Sequence, residues 1–420
     1  MSVSETDIQQ LIGHLFRHEA GRMAAVLTRF LGTDQFEVAE DLVQDTLLKA
    51  MEVWRYHGVP ENPSAWLYKV AKNKTIDFIR TAQRRNKIQN EIKEELKSEW
   101  GLSSSVNQLF NTDEIQDSVL RMMFACCHPS ISPESQIALT LKTLAGLSTL
   151  EIADAFLTSE ETIAKRIFRA KEKIKEENIQ LDFPYQAELN IRLNNVLKVL
   201  YLLFNEGYNS SHHDAVIRED LCEEAMRLTY MLVQHPSTNQ PKVNALIALM
   251  CLQVARFPAR LSDNGMIILL QEQDRSKWNR PLIDRGLNFL RSSYNGDQLT
   301  EYHVEAAIAS VHAVAPTFDQ TNWKELLKLY ELLAEMKPGP MVELNKAIAI
   351  GFAKSPDEGL VALRQIKDLK DHYLYQAAFG NFYTMKGEQK LAAEYFETAI
   401  SKASSKAQKE LLTRKKEACA

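Results

Sequence analysis

Glycine and proline are scarce in this 420-residue chain, with 15 and 13 residues. Their sum is about 7%, against a usual value near 12%. So few turn-formers exclude a many-stranded sandwich and point to long helices. Cysteine is scarce too: five residues, two of them adjacent, cannot build a disulfide framework. Long hydrophobic runs are missing. The most apolar stretch, 243–255, carries Asn244 and Gln253 and reads as too short and too polar to cross a bilayer. The first ten residues are polar and acidic, so no signal peptide is expected. A strong excess of either charge is absent as well, the net charge being −5. What remains is ordinary for a globular protein, 45% apolar and 25% charged residues, enough for sizeable cores. The expectation is an all-α, cytoplasmic, non-membrane chain of two or three domains, at about 150 residues each.

The mean charge hides local clusters. Residues 69–87 carry seven basic side chains and one acid, Asp77, and residues 162–175 carry six and one acid, Glu172. Two basic stripes in an acidic background fit DNA contact through two faces, while the rest repels non-specific binding. On charge alone, two solvated helix faces explain them equally well.

Helical periodicity organises the whole chain. Residues 1–30 read as one helix. Residues 36–56 read as a second, with Val43, Leu47, Ala50 and Trp54 in one apolar stripe. His57–Pro63 breaks it with Gly and two prolines, and Ser64 is the expected cap of a helix running to Arg80 or beyond. Residues 83–112 turn polar, charged and Ser-rich, the signature of a linker. Periodicity returns from Asp113 to about Asn178, with breaks at Pro129, Pro133 and Pro184. From Gln186 onward the pattern is helix after helix. Near the end, Gly380, Tyr383, Gly387, Ala392, Phe396 and Ala399 follow the small/large spacing of a tetratricopeptide repeat. The segments Trp323–Leu333 and Met341–Phe352 match that pattern more weakly, and 186–315 keeps only its rhythm.

Two segments are candidates for reading DNA. In Ser148–Ile174, Leu144, Ile152, Ala153 and Phe156 give a short helix its apolar face, and Leu157-Thr158-Ser159 is a turn, with Thr158 or Ser159 as cap. Ile163, Ile167, Ala170 and Ile174 then fall within about 60° of arc, with Thr162, Lys165, Arg166, Arg169 and Lys173 opposite. That is a helix-turn-helix with a hydroxyl and long cations on its outer face. In 63–87, Trp66, Leu67, Val70, Ile76 and Ile79 form an apolar body. Lys69, Lys72, Asn73, Lys74, Arg80, Arg84 and Arg85 supply donors, a mix suited to unstacked bases. The acidic face Glu40, Asp41, Gln44 and Asp45 cannot face DNA, and by itself reads as solvated.

Three segments in this order, AEDLVQDTLLKAMEVW (39–54), NPSAWLYKVAKNKTIDFIR (62–80) and AGLSTLEIADAFLTSEETIAKRIFRAKEKI (145–174), resemble regions 2 and 4 of bacterial sigma factors of the extracytoplasmic-function type. The stretches LYLLFNEGY (200–208) and QEQDRSKWNRPLIDRG (271–286) resemble the subgroup with a long C-terminal tetratricopeptide-like extension. The resemblance implies region 2 over 1–82, a linker over 83–112, region 4 over 113–180 and the extension over 181–420. It implies a protein that binds core RNA polymerase and directs promoter-specific initiation, with no catalysis of its own and no cofactor. Asp41, Leu42, Gln44 and Asp45 would meet the polymerase. Trp66, Lys69, Lys72, Asn73 and Arg80 would read and melt the minus-ten element, engaging the non-template strand, with Trp66 mainly in packing. Glu161, Thr162, Lys165, Arg166 and Arg169 would read the duplex minus-thirty-five element. A regulatory protein or ligand is the expected partner of the extension.

The rival reading is a one-component regulator that binds duplex DNA through 145–174 and senses through 186–420, but it has no need of residues 39–80. The chain departs from the family pattern where relatives carry a Gly-Val-Pro type turn and it has Leu157-Thr158-Ser159. Leu157 takes positive φ less cheaply than glycine. Glu160 and Glu161 also put two acids at the head of the reading helix, where either could accept from a cytosine amine. No metal is expected. Ala125-Cys126-Cys127-His128-Pro129 lacks a second ligand pair and reads as buried thiols at a helix end, and His212-His213-Asp214 reads as a loop or cap. The run 272–286 mixes acids, Arg and Trp and reads as a buried ion-pair cluster or, failing that, a ligand pocket.

Overall fold

A computed structural model describes residues 5–85, 110–156, 158–208, 217–262, 266–296 and 298–419. Among these the chain is all-α: eighteen helices, short 3-10 turns, and one isolated bridge between Leu261 and Ile267. It divides into two compact units, 1–202 and 203–420. Most of the expected linker, together with Leu157 and His212-His213-Asp214, lies outside the described residues.

The first unit starts with α1 (Glu5–Leu31), α2 (Phe36–His57) and α3 (Pro63–Arg85). They close around Met23, Leu27, Ala39, Val43, Ala50, Leu67 and Ala71, with Trp54 set 5.4 Å from both Phe16 and Trp66. The cap of α3 is not Ser64 but Asn62, whose Oδ1 accepts from the Ala65 amide at 3.0 Å. Ser64 lies inside the helix and donates to Glu19 at 3.0 Å. Glu19 is buried against α3, where Tyr68 also donates to it. Burial alone would raise its pKa, but the bonds from His18, Tyr68 and Ser64 and the charge of Arg22 outweigh that and hold it at about 2.

The other half of this unit comprises α4 (Thr112–Cys126), α5 (Pro133–Thr143), α6 (Thr149–Ala155) and α7 (Glu160–Glu176). Cys126 ends α4 and Cys127 caps it, both fully buried. Burial pushes the Cys127 thiol up to about 12, against a hydrogen bond with Thr140 that lowers it. These are inert packing thiols at a helix end. The next helix, α8 (Gln186–Tyr208), begins in this unit, where Arg192 donates to the Phe124 carbonyl at 3.0 Å. The division between units therefore falls within α8, later than the expected boundary at 180/181.

The second unit is built on α10 (Pro241–Val254), buried along nearly its whole length. Around it pack α9 (Glu219–Gln234), α11 (Arg280–Ser293) and α12 (Glu301–Val314). The apolar segment is longer than the sequence reading gave it. Residues Pro241–Ala259 make 19 residues that pass a membrane-span test by length and composition, yet 72% of that window is buried inside the protein. Among the described residues the run 272–286 shows cation–π contacts and two exposed ion pairs, Glu272 with Arg414 and Arg280 with Asp284, in place of the expected buried ion-pair cluster. Arg256 and Arg275 lie 5.5 and 4.9 Å from the Trp278 ring, and Arg275 donates to the His312 carbonyl at 2.7 Å.

After α12 come α13 (Trp323–Met336), α14 (Pro340–Ala353), α15 (Pro356–Gln365), α16 (Tyr373–Met385), α17 (Gln389–Lys402) and α18 (Lys406–Glu417). Each packs mainly on its neighbours in sequence. Gly380 lets α16 and α17 close up: a Cβ there would meet the Phe396 ring at 2.7 Å.

Candidate polymerase and nucleic-acid interface

At about 100° per residue, α2 has two distinct faces. Ala39, Leu42, Val43, Thr46, Ala50 and Trp54 point into the bundle. Leu42 is only 8% exposed and belongs to the core, so it is removed from the expected polymerase face. Its position two turns above Ala50 puts it on the packed side. Glu40 leaves that face as well, because it accepts from Lys171 on α7 at 2.6 Å. Asp41, Gln44 and Asp45 stay exposed, and Asp45 meets Lys74 of α3 at 3.3 Å. The same face carries two residues the sequence reading overlooked, Leu48 and Met51, each 58% exposed. Their signal was available, since the helical period sets both with the acids rather than with the apolar stripe. Two large apolar side chains thus lie exposed beside the acids on one helix face.

On α3, Lys69, Asn73 and Arg80 are exposed and Lys72 half-buried, and all four fall within about 100° of arc. Trp66 is half-buried, edge-on against Trp54, so it acts through packing. The loop 57–62 that leads into this helix is open at His57, Gly58, Val59, Glu61 and Asn62.

The α6–α7 pair is a helix-turn-helix. Ser148 and Glu151 form a capping box at the start of α6, and Ser159 rather than Thr158 caps α7 by accepting from the Thr162 amide at 3.2 Å. Ile163, Ile167, Ala170 and Ile174 are all buried, as their spacing requires. Thr162 and Arg166 are half-exposed, and Lys165 and Arg169 exposed. Glu161 pairs with Lys165 at 2.6 Å, and Glu160 accepts from Thr149 of α6 at 2.6 Å, which ties it back to the first helix. Phe168, 62% exposed, was also missed, although the helical period sets it about 130° from the centre of the buried stripe and so outside the core.

The two halves of the first unit touch directly. Lys171 of α7 reaches Glu40 and lies 5.0 Å over the Phe36 ring, both on α2. Arg17 of α1 pairs with Glu151 of α6 at 2.8 Å, and Arg29 pairs with Asp117 of α4 at 2.8 Å. Between these pairs, Gly21 of α1 lies so near the Leu144 carbonyl that a Cβ would come within 2.4 Å of its oxygen.

Comparisons with known proteins agree with this geometry. The profile of Sigma-70 region 2 matches residues 15–85, that of Sigma-70, region 4 matches 121–174, and that of a family of unknown function (DUF6596) matches 192–294. An uncharacterized protein of Rhizobium meliloti (strain 1021), R00370, is 33% identical over 382 residues, covering 90% of this chain and 88% of that protein. The ECF RNA polymerase sigma factor SigL of Mycobacterium tuberculosis (strain H37Rv) is 30% identical over 150 residues, 35% of this chain and 79% of the relative. The ECF RNA polymerase sigma-E factor of Haemophilus influenzae is 26% identical over 156 residues, 37% and 80% of the two chains. With an open α2 face, a basic α3, a capped helix-turn-helix and relatives matched over most of their length, the chain belongs to the ECF RNA polymerase sigma factors, as an alternative sigma factor with a long helical C-terminal extension.

Proposed function

We propose that this sigma factor meets core RNA polymerase through Asp41, Gln44, Asp45, Leu48 and Met51 of α2. Lys69, Lys72, Asn73 and Arg80 engage the minus-ten element and its melted non-template strand, while Trp66 braces their helix. Thr162, Lys165, Arg166 and Arg169 read the minus-thirty-five duplex, with Glu161 tuning Lys165. Opening a base pair costs a few kcal/mol, which the binding groups of region 2 offset during initiation. Sigma factors are not an enzyme family, and the chemistry stays with the polymerase. The working divisions are region 2 over 1–82, a linker over 83–112, region 4 over 113–180 and a regulatory, repeat-like extension over 181–420. The protein acts in the cytoplasm.

The observation that carries this reading is the open acidic and apolar face of α2, which a simple DNA-binding regulator has no reason to possess. The reading also requires motion. The two promoter elements lie about 25 base pairs apart, about 85 Å of duplex. In this structure α7 touches α2 through a 2.6 Å ion pair, so region 4 must leave region 2 before both elements can be held.

Run-off transcription with core polymerase tests the polymerase face. Asp41→Lys combined with Met51→Lys should lower promoter-specific transcripts about a hundredfold, with unchanged melting because both side chains are exposed. Undiminished transcription, with core polymerase still captured, would sink the assignment.

A further inference from the structure

Within the second unit, a cavity of about 530 Å³ opens among α12, α13, α14, α16, α17, α18 and the turn 270–272. That volume suits a small organic ligand. One wall is aromatic. Trp323 and Phe352 stack at 4.3 Å between ring centroids, and Phe318 meets Trp323 edge-on at 5.2 Å. Two polar groups stand out against this wall. Lys415 lines the cavity and donates to Asn381, but among the described residues no carboxylate pairs with it. The one acid in the lining, Glu272, pairs with Arg414 at 2.7 Å. His312 lines the other side with a buried Nδ1 that has no hydrogen-bond partner. Burial and the neighbouring Arg256 and Arg275 hold its pKa down at about 4, so the ring is neutral there.

The balance of these groups selects a chemistry. A buried ammonium beside aromatic rings, with the charge of Glu272 acting on it but no carboxylate in direct contact, favours an anion with an apolar body. A neutral imidazole adds one hydrogen bond without adding charge. A cationic ligand would meet Lys415 with nothing free to neutralise it.

We propose that this cavity binds a small carboxylate with a planar aromatic body, its ring against the Trp323–Phe352 wall and its carboxylate at Lys415. The site goes beyond the regulatory reading of the extension, because binding is decided by the cavity alone whatever the ligand does to transcription.

Calorimetric titration of the full-length protein with three probes of one shape tests this: 1-naphthoate, 1-naphthamide and 1-naphthylmethylammonium. Naphthoate should bind once per chain, at least about tenfold tighter than either of the others. Lys415→Met should remove that preference and leave naphthamide within about twofold. Asn345→Trp, which fills the cavity from an exposed position, should abolish all binding. Far-UV dichroism and melting check that each variant folds. No naphthoate binding at millimolar concentration, equal affinity for the three probes, or binding that survives Asn345→Trp would each overturn the proposal. The wild-type comparison stands even if a variant does not fold.

Discussion

The two units carry their chemistry on opposite surfaces. In the first, the proposed contact residues point outward: acids and apolar groups on α2, cations on α3 and α7, with the halves held together by Arg17–Glu151, Arg29–Asp117 and Lys171–Glu40. In the second, helices close up over Gly380 and their aromatic side chains turn inward around a cavity. A reader that must grip polymerase and DNA needs exposed charge and contacts weak enough to break. A small-molecule pocket needs an enclosed, rigid wall. Ion pairs suit the first task and ring packing suits the second.

That contrast can be broken from either side, and the largest effect is expected in the packed unit. Gly380→Val should cost about 1–3 kcal/mol by driving a side chain into Phe396, and should lower a melting transition of the second unit while leaving that of the first in place. A shift shared equally by both transitions would mean that the units do not differ as described. Next in size is Lys171→Met. Its ion pair is about four-fifths buried, so its loss should weaken the region 2–region 4 contact by about 1–2 kcal/mol. The readout is a longer distance between spin labels on α2 and α7, with duplex binding at least as tight as before. An unchanged distance would show that the pair does not hold the halves together. The third effect concerns pH. The Glu19 carboxyl is held at about 2 against an ordinary 4.5, so the stability it supplies is complete above about pH 5 and lost as pH falls from there toward 2. Melting of wild type and Glu19→Gln between pH 5 and pH 2.5 should converge at the acid end. A constant difference across that range would contradict it.

The same contrast explains what could be read without a structure. The stripe Ile163, Ile167, Ala170 and Ile174 lies on one helix, so its period alone gives the face it buries and the face it offers. Leu48 and Met51 obeyed the same rule and were within reach of it. Glu40 was not, because its partner lies 131 residues away, and no local pattern tells a paired acid from a solvated one. Leu42 was placed on the partner face because the family resemblance carried it there with Asp41 and Gln44, whereas its angle on α2 puts it in the core. Ser64 was assigned a cap that Asn62 takes, because the helix already begins at Pro63 and leaves Ser64 inside its first turn. The cavity was hardly legible: the ligand-pocket alternative for 272–286 touches it only at Glu272, and the other lining residues from Leu269 to Cys419 are brought together by packing and by no repeated spacing.

The buried helix α10 has a consequence for how the chain is made. Its cover comes from α9 before it and from α11 and α12 after it, up to Val314. A polypeptide that has emerged only as far as residue 259 thus presents an apolar segment of span-like character with α9 as its only cover, waiting for the next 55 residues of synthesis. Any shortened version of the protein ending between 255 and 300 keeps that segment without the cover of α12. A deletion that spares solubility must therefore end before α10 begins or after α12 is complete.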